Sequence, residues 1–329
     1  MADFSDVRLH VVTGKGGTGK TTVASALALA LAADGRKVLL AEVEARQGLA
    51  RLFDCSPLTY DERAIARAPR GGHVHGIAID PEEALLEYLY LFYKFPRNGM
   101  PARTVRRLGA IEFATTIAPG MQDVLLTGKV KEAVVRLQRD GRPTYDAVVL
   151  DAPPTGRVAR FLNISHEVSG LARVGPIKNQ ADGVMAVLRS PRTAVHIVTV
   201  LEEMPVQETL DAAAELRTLG LPVGGVVVNG VRSPLLAPAD LDAARRGALD
   251  LPQLTADLKD AGLQADDAVV GALAAEAQQH ARRLQLEERQ RDVLAAVGRP
   301  TYDLPMLTHA VDLGALHAFA GALHEQGMV

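Results

Sequence analysis

Short apolar runs alternate with stretches of helical periodicity along most of the chain. Six runs rich in valine, leucine and isoleucine predict β-strands, at Val7–Thr13, Lys37–Val43, Val74–Ile79, Tyr145–Asp151, Ala194–Val200 and Pro222–Asn229. The stretches between them, such as Thr21–Ala33 and Gln207–Leu219, have helical spacing. Strands separated by helices indicate βαβ units. The pattern therefore predicts an α/β fold with a mainly parallel, doubly wound sheet and helices on both faces.

Two regions depart from this alternation. Residues 81–140 are helix-like and hold six of the thirteen aromatic residues, whereas residues 234–297 are rich in alanine, aspartate and glutamine. Neither region is of low complexity, and the chain contains no internal repeat. We predict a single domain over residues 1–329, with a helical insertion at about 81–140 and a second, mostly helical segment at about 234–297.

Composition and charge exclude several classes of protein. The chain is 48% hydrophobic and 23% charged, and its net charge of −3 gives no general attraction to nucleic acid or anionic membranes. The longest apolar runs, Val23–Ala33 and Leu85–Phe95, are shorter than the ~20 residues of a membrane span. The first residues do not resemble a signal peptide. We expect a cytoplasmic protein with no nucleic-acid partner and no integral membrane segment.

The cysteine count limits the possible metal sites. Cys55 is the single cysteine, so the chain alone cannot form a disulfide, a four-thiolate zinc site or an iron–sulfur cluster. None of the nine histidines has metal-binding spacing, although His73 and His75 would share one strand face. We therefore expect neither zinc nor an iron–sulfur cluster.

A glycine-rich segment follows the first predicted strand and opens a helix. Its sequence, GKGGTGKTT, fits the phosphate-binding pattern G-x-x-x-x-G-K-[ST]. Glycines let backbone N–H groups surround a phosphate, and the helix N-terminus favours negative charge. Lys20 would neutralise phosphate charge, and the Thr21 hydroxyl would bind Mg²⁺. The predicted nucleotide-binding residues are Gly14, Lys15, Gly16, Gly17, Thr18, Gly19, Lys20, Thr21 and Thr22.

Phosphoryl transfer also requires carboxylates at strand ends, which hold Mg²⁺ and orient water. Asp151 closes a buried apolar strand and leads into the segment APPTG. We expect its carboxylate to act on Mg²⁺ through water, beside Thr21. The alternative is that Asp151 only caps the helix that follows.

The second lysine of the glycine-rich segment, Lys15, is not needed to hold a nucleotide within one chain. The arrangement GKGGxGKT is the deviant phosphate loop, which resembles the dimeric ATPases of the MinD, ParA, nitrogenase-iron-protein and ArsA class. In that class the early lysine reaches the phosphates of the partner subunit. The resemblance implies ATP as ligand, a dimer, and Lys15 as a catalytic residue acting in trans; a plain surface lysine is the alternative.

The loop after the second strand differs from that class. The resembling ATPases carry an aspartate there that positions the attacking water, and Glu44 aligns with it. Glutamate places its carboxylate one methylene further out, which is enough to misplace a water. Glu42, on the same side of the strand, is the competing candidate. A third possibility is that both are solvated charges and that the chain hydrolyses ATP slowly.

The segment DAPPTGRVARFL, residues 151–162, is similar to the D-x-A-P-T-G-H-x-x-R-x-L segment of ArsA and of the tail-anchored-protein targeting ATPases, with Arg157 in place of histidine. Glu208, Asn229 and the late segment around Pro305 also match that branch. The resemblance implies that Asn229 reads the adenine edge and that Pro305 lies near the purine. Since the C-x-x-C of a zinc clasp and the thiolates of an arsenite site are missing, we do not expect an arsenite pump.

The sequence is consistent with three functions. The first is a Mg²⁺-dependent, ArsA-type ATPase that forms a homodimer or a heterodimer with a paralogous ATPase and switches its grip on an unknown protein client. The second is a weakly active nucleotide-binding scaffold subunit paired with such a paralogue. The third is a ParA- or MinD-like partitioning ATPase, which the lack of a basic surface bias disfavours. Helix-forming residues 85–95 could present aromatic side chains to a client or simply pack on the sheet.

Overall fold

The computed structural model describes residues 4–43, 47–93, 120–164 and 176–329. Within these ranges one eight-stranded sheet has the order β3-β4-β2-β5-β1-β6-β7-β8. Its strands, in chain order, are β1 (Leu9–Gly14), β2 (Lys37–Glu42), β3 (Arg63–Arg67), β4 (His73–Ala78), β5 (Ala147–Asp151), β6 (Thr193–Thr199), β7 (Val223–Val231) and β8 (Thr301–Pro305).

All neighbouring strands are parallel except β3, which pairs antiparallel with β4 at one edge of the sheet. The predicted α/β fold with a mainly parallel sheet is therefore confirmed. The six predicted strands correspond to β1, β2, β4, β5, β6 and β7, with ends that differ by at most two residues.

Eleven α-helices flank the sheet in the described part of the chain. They are α1 (Lys20–Ala32), α2 (Gly48–Leu52), α3 (Pro81–Tyr93), α4 (Met121–Val135), α5 (Thr155–Leu162), α6 (Pro176–Leu188), α7 (Glu203–Thr218), α8 (Pro238–Arg246), α9 (Leu251–Asp260), α10 (Asp267–Leu294) and α11 (Leu313–Glu325). No helix among the described residues is long and apolar enough to cross a membrane.

Alternation of side chains along the central strands divides the core into two apolar layers. Leu9 and Val11 of β1 pack in the layer beneath α4, α5, α6 and α7, whereas Val12 packs in the layer beneath α1 and α11. In β2, Leu39 and Leu40 divide between the two layers in the same way. Because side chains alternate along a strand, each central strand contributes to both layers.

The two predicted helical regions contain helices wherever they are described. Residues 81–140 include α3 and α4, and residues 234–297 include α8, α9 and α10. In α3, Leu85 and Tyr88 are buried and pack with Leu125 of α4, in a small cluster separate from the two core layers of the sheet. Residues 94–119 lie outside the described ranges, as do the side chains of Leu91, Phe92 and Tyr93. The single-domain boundaries stay a prediction.

Candidate phosphate site

The glycine-rich segment lies at the carboxyl edge of the sheet, between the end of β1 and the start of α1. The carboxyl ends of β2 and β5 meet at the same edge, where Glu42 is the direct ladder neighbour of Asp151. In open α/β sheets this edge is where ligands bind. The topology thus brings the predicted phosphate loop and the predicted carboxylates to one place.

Two glycines of the loop have a definite steric reason. A Cβ added to Gly14 would lie 2.1 Å from the backbone carbonyl oxygen of Val198 in β6. Gly19 has φ +90°, and its added Cβ would lie 2.3 Å from Nδ2 of Asn229. Gly17, at φ +88°, is also in a conformation that L side chains rarely adopt. The sequence therefore needs glycine here to bend the backbone tightly between strand and helix.

Thr21 and Asp151 meet directly. The Thr21 hydroxyl donates a hydrogen bond of 2.7 Å to Oδ2 of Asp151, which joins the first turn of α1 to the end of β5. Both oxygens are hard donors of the kind that Mg²⁺ prefers. The sequence predicted the two residues as a magnesium pair, and the structure brings their side chains together.

The loop is held from inside and from β7. Thr18 Oγ1 donates to the carbonyl oxygen of Lys15 at 2.9 Å, and the Lys20 ammonium lies 3.4 Å from the same oxygen. Asn229 donates from Nδ2 to the carbonyl oxygen of Thr18 at 2.9 Å. The predicted adenine residue therefore contacts the phosphate loop itself. Pro305 ends β8 and is the ladder neighbour of Val231, which lies two residues beyond Asn229 on β7.

Glu42 caps a helix. Its side chain is 3% exposed and accepts hydrogen bonds from the backbone N–H groups of Gly48 at 3.2 Å and Leu49 at 3.4 Å, the first two residues of α2. These are orphan donors of a helix N-terminus, which favour a carboxylate. Gln47 fixes the same turn through two hydrogen bonds with the backbone of Leu58, of 3.0 and 2.7 Å. Glu44, the other candidate, lies outside the described residues.

Lys15 is bound within its own chain. Its ammonium donates to Oε1 of Glu208 in α7 at 2.6 Å, and Oε2 of Glu208 accepts from the Thr155 hydroxyl at 3.0 Å. The hydrogen bond from Lys15 is the largest effect and lowers the pKa of the Glu208 carboxyl; burial opposes it, and the Thr155 hydroxyl and the charge of Lys15 lower the pKa further. About a third of each charged side chain is exposed (31% for Lys15, 34% for Glu208), so water screens the pair.

Sequence reasoning missed three of these contacts. The cap by Glu42 and the hydroxyl of Thr155 were not predicted, and Glu208 was noted only as a match to other ATPases. A buried strand-end carboxylate six residues before the start of a helix was a usable signal for the cap. The bond between Lys15 and Glu208 had no local signal, because 193 residues separate the two.

Comparison with known proteins gives a consistent family. The family model described as "Anion-transporting ATPase" matches residues 7–191. The ATPase BagA of Mycobacterium tuberculosis is 52% identical over 325 residues, which is 99% of this chain and 95% of that protein. The arsenical pump-driving ATPases of Escherichia coli and Acidiphilium multivorum are 28% and 27% identical over 77% and 70% of this chain, and 45% and 41% of their own lengths. The chain belongs to the anion-transporting, ArsA-type ATPase family.

Proposed function

We propose that the chain binds ATP with Mg²⁺ and hydrolyses it as one subunit of a dimer, and that the bound nucleotide controls how tightly the dimer binds a protein client. The observation that carries this proposal is the 2.7 Å hydrogen bond between Thr21 and Asp151 beneath a glycine loop that starts a helix. Family membership supports ATPase activity; the dimer, the metal and the client are our inference from the site.

The donor set suits Mg²⁺. A hydroxyl and a carboxylate are available at one point, and Mg²⁺ commonly takes few protein ligands, with water and phosphate oxygens filling the rest of its octahedron. When bound, the ion neutralises charge on the β- and γ-phosphates. We assign Thr21 as the residue whose hydroxyl would hold the ion, and Asp151 as the carboxylate that would orient it through water.

The remaining roles belong to the loop and its surroundings. Backbone N–H groups of the loop and the N-terminus of α1 would hold the phosphates, and the Lys20 ammonium would bind the oxygens of the β–γ region. Asn229 would keep the loop closed through the carbonyl of Thr18. Such fixed donors stabilise charge in the transition state without having to reorganise. This electrostatic stabilisation is the main contribution to the rate enhancement of phosphoryl transfer.

We assign Glu44 to the attacking water, because Glu42 already has a structural role. The carboxylate of Glu42 is buried and accepts from two backbone N–H groups of α2. A group held in this way is poorly placed to move onto a water, and its removal would leave two buried donors unpaired. The proposal therefore separates a capping glutamate from a water-positioning one.

The contact between Lys15 and Glu208 suggests how dimerisation connects to hydrolysis. In the described conformation Lys15 is bound to α7 of its own chain. To reach a partner's phosphates it would have to leave Glu208 for a more highly charged acceptor. Since an exposed ion pair is worth about 0–1 kcal/mol, phosphate oxygens compete with it easily. Each subunit would thus complete its partner's site only when nucleotide is present.

A second function keeps one supporting observation. The position that carries an aspartate in the resembling ATPases is Glu44 here, and its longer side chain could leave hydrolysis very slow. The chain would then be the nucleotide-binding scaffold of a heterodimer, in which ATP serves assembly and a paralogue supplies the turnover.

Steady-state ATPase assays over a range of protein concentrations would test the proposal. We expect turnover to rise with more than the first power of concentration, and to fall about 100-fold or more in Lys20→Ala and Lys15→Ala. Native mass spectrometry with a non-hydrolysable ATP analogue should show a dimer that is absent without nucleotide.

Two matched comparisons make the outcome decisive. Glu44→Gln should keep nucleotide binding and lose turnover, whereas Glu42→Gln should lower thermal stability more than turnover. Turnover that persists in Lys20→Ala would refute the site. Tight ATP binding with no turnover, restored when a paralogue is added, would support the scaffold function instead.

A further inference from the structure

The outlying helices α8, α9 and the first half of α10 enclose a groove that the phosphate site does not use. Its cavity volume is about 510 Å³, within the range of binding pockets. The apolar part of its lining, here called the floor, consists of Leu235, Leu236, Leu249, Leu254, Leu273 and Ala277. We call this region the acidic groove, because Asp240, Asp250, Asp257 and Glu276 also line it.

The helices around the acidic groove bury little of their apolar surface. Ala244 is the one buried residue of α8, and α9 has none. Leucines beside the groove stay open to solvent, with Leu235 81%, Leu251 43% and Leu273 39% exposed. Exposed leucines grouped on neighbouring helices around one groove are typical of interaction surfaces.

The charges of the groove select the occupant. Its lining has four carboxylates and no lysine or arginine. Asp250 and Asp257 accept hydrogen bonds from Gln253, at 3.0 and 2.7 Å. Asp240 and Glu276 have no ion pair with any residue of the described chain. The groove therefore offers a cationic partner four carboxylates, two held by hydrogen bonds and two without an ion pair. The same charge repels an anionic membrane surface.

The shape of the groove favours a helix. Its walls are themselves helices, and α9 is ten residues, or about 15 Å, long. Three turns of an added helix would span that length and place leucine-type side chains at i, i+3 or i+4, and i+7 on the apolar floor. Lysines or arginines on the flanks of such a helix would face the carboxylates at the rim.

We propose that the acidic groove binds a basic amphipathic helix of a partner protein. None of the lining residues belongs to residues 85–95, which the sequence suggested as one possible client surface. The acidic groove is also independent of the phosphate loop, since none of the lining residues belongs to the loop or to the carboxyl ends of β1 and β5.

The test uses a fluorescent fourteen-residue peptide of leucine and lysine, with leucines at helical spacing, and its counterpart with glutamate in place of lysine. Fluorescence anisotropy with the full chain should show saturable binding of the lysine peptide, at least tenfold tighter than that of the glutamate peptide. Binding should weaken as salt rises. A photo-reactive leucine analogue in the peptide should cross-link to residues 235–280.

Charge and floor are tested separately. Asp240→Asn with Glu276→Gln should weaken binding about three- to tenfold, and Leu273→Ser by a similar factor. The control pair Asp292→Asn with Glu325→Gln removes the same charge elsewhere on the surface and should leave binding unchanged. Lys20→Ala should bind the peptide normally even without ATPase activity, which separates this proposal from the proposed function.

Three outcomes would overturn the proposal. Equal binding of the lysine and glutamate peptides would show that the carboxylates do not select. Equal weakening by the groove pair and the control pair would show a general charge effect. Concentration-dependent self-association in sedimentation, abolished by Leu273→Ser and without peptide binding, would make the groove an interface between copies of the chain.

Discussion

The helix that carries the phosphate loop and the helices of the acidic groove differ in how much of their surface is buried. In α1 the ten consecutive residues Val23–Ala32 are buried, between the sheet on one side and α11 on the other. In α9 no residue is buried. A helix that is apolar all round must be enclosed, whereas a helix with one half-covered stripe can stand at the surface. The enclosed helix α1 therefore holds the loop in a fixed position, whereas α8 and α9 leave surface exposed for binding.

Glycine substitutions should change the free energy of unfolding most, and in opposite directions in the two regions. Gly14→Ala should destabilise the fold by about 3 kcal/mol or more and abolish ATP binding, because the new methyl would collide with a backbone carbonyl that cannot rotate away. Gly271→Ala, in the exposed interior of α10 with nothing within 4 Å, should stabilise by about 0.5–1 kcal/mol. Chemical denaturation measures both; equal signs would contradict the contrast.

Leucine truncations come next. Leu27→Ala in α1 removes a side chain that is 0% exposed and should lower the free energy of unfolding by about 3 kcal/mol. Leu251→Ala in α9, where the side chain is 43% exposed, should change it by less than about 0.5 kcal/mol. Urea titration of the two variants gives the difference directly. A similar loss in both would mean that α9 belongs to the cooperative core.

One pH effect on stability should arise inside the sheet. His10 and His196 are fully buried on β1 and β6, with His10 Nδ1 and His196 Nε2 3.1 Å apart and the Gly225 N–H donating to His196 Nδ1. Burial, partly offset by the Val7 backbone, lowers the pKa of His10 to about 4, and burial also lowers the pKa of His196. Both rings are thus neutral in the folded state.

The sign of this effect follows from the lowered pKa. The unfolded chain binds protons below about pH 6.5 and the folded chain does not, so stability is full above that pH and is lost as pH falls toward 4. His10 alone should account for about 2 kcal/mol between pH 7.5 and pH 5. His10→Asn should flatten that dependence in urea titrations, whereas the exposed His309→Asn should not.

The smallest expected effect comes from weakening the bond between Glu208 and Lys15. Glu208→Gln should weaken the bond that holds Lys15 in its own chain and lower the protein concentration for half-maximal ATPase activity by up to about threefold, since the exposed pair is weak. Glu215→Gln, exposed on the same helix, is the control. A rise in that concentration would instead give Glu208 a role in the assembled site.

Local patterns predicted the sheet well where a strand is buried on both faces. β5 and β7 are continuous apolar runs, and burial of both faces is what such runs indicate. The edge strand β3 escaped prediction because its sequence, RAIAR, is charged at both ends and only partly buried. Edge strands bury less and so leave a weaker hydrophobic signal.

The contacts of the candidate site were predictable where each residue involved has a signature in its own local sequence. The loop residues and the Thr21–Asp151 pair could be found because a glycine motif and a strand-end carboxylate each have a local signature. The cap by Glu42 and the partner of Lys15 depend on how distant elements meet. Spacing along the chain placed Glu42 beside Glu44 but could not tell a helix cap from a water-positioning group.

The enclosure of α1 also has a consequence for synthesis. The helix that covers its outer side, α11, comes from the opposite end of the described chain and contributes Leu316, Phe319 and Leu323 to the same apolar layer. Because a ribosome releases the chain from its N-terminus, α1 is made long before its cover exists. One apolar side of α1 therefore stays open until nearly all of these residues have been translated, and during that interval the nascent chain is exposed to aggregation.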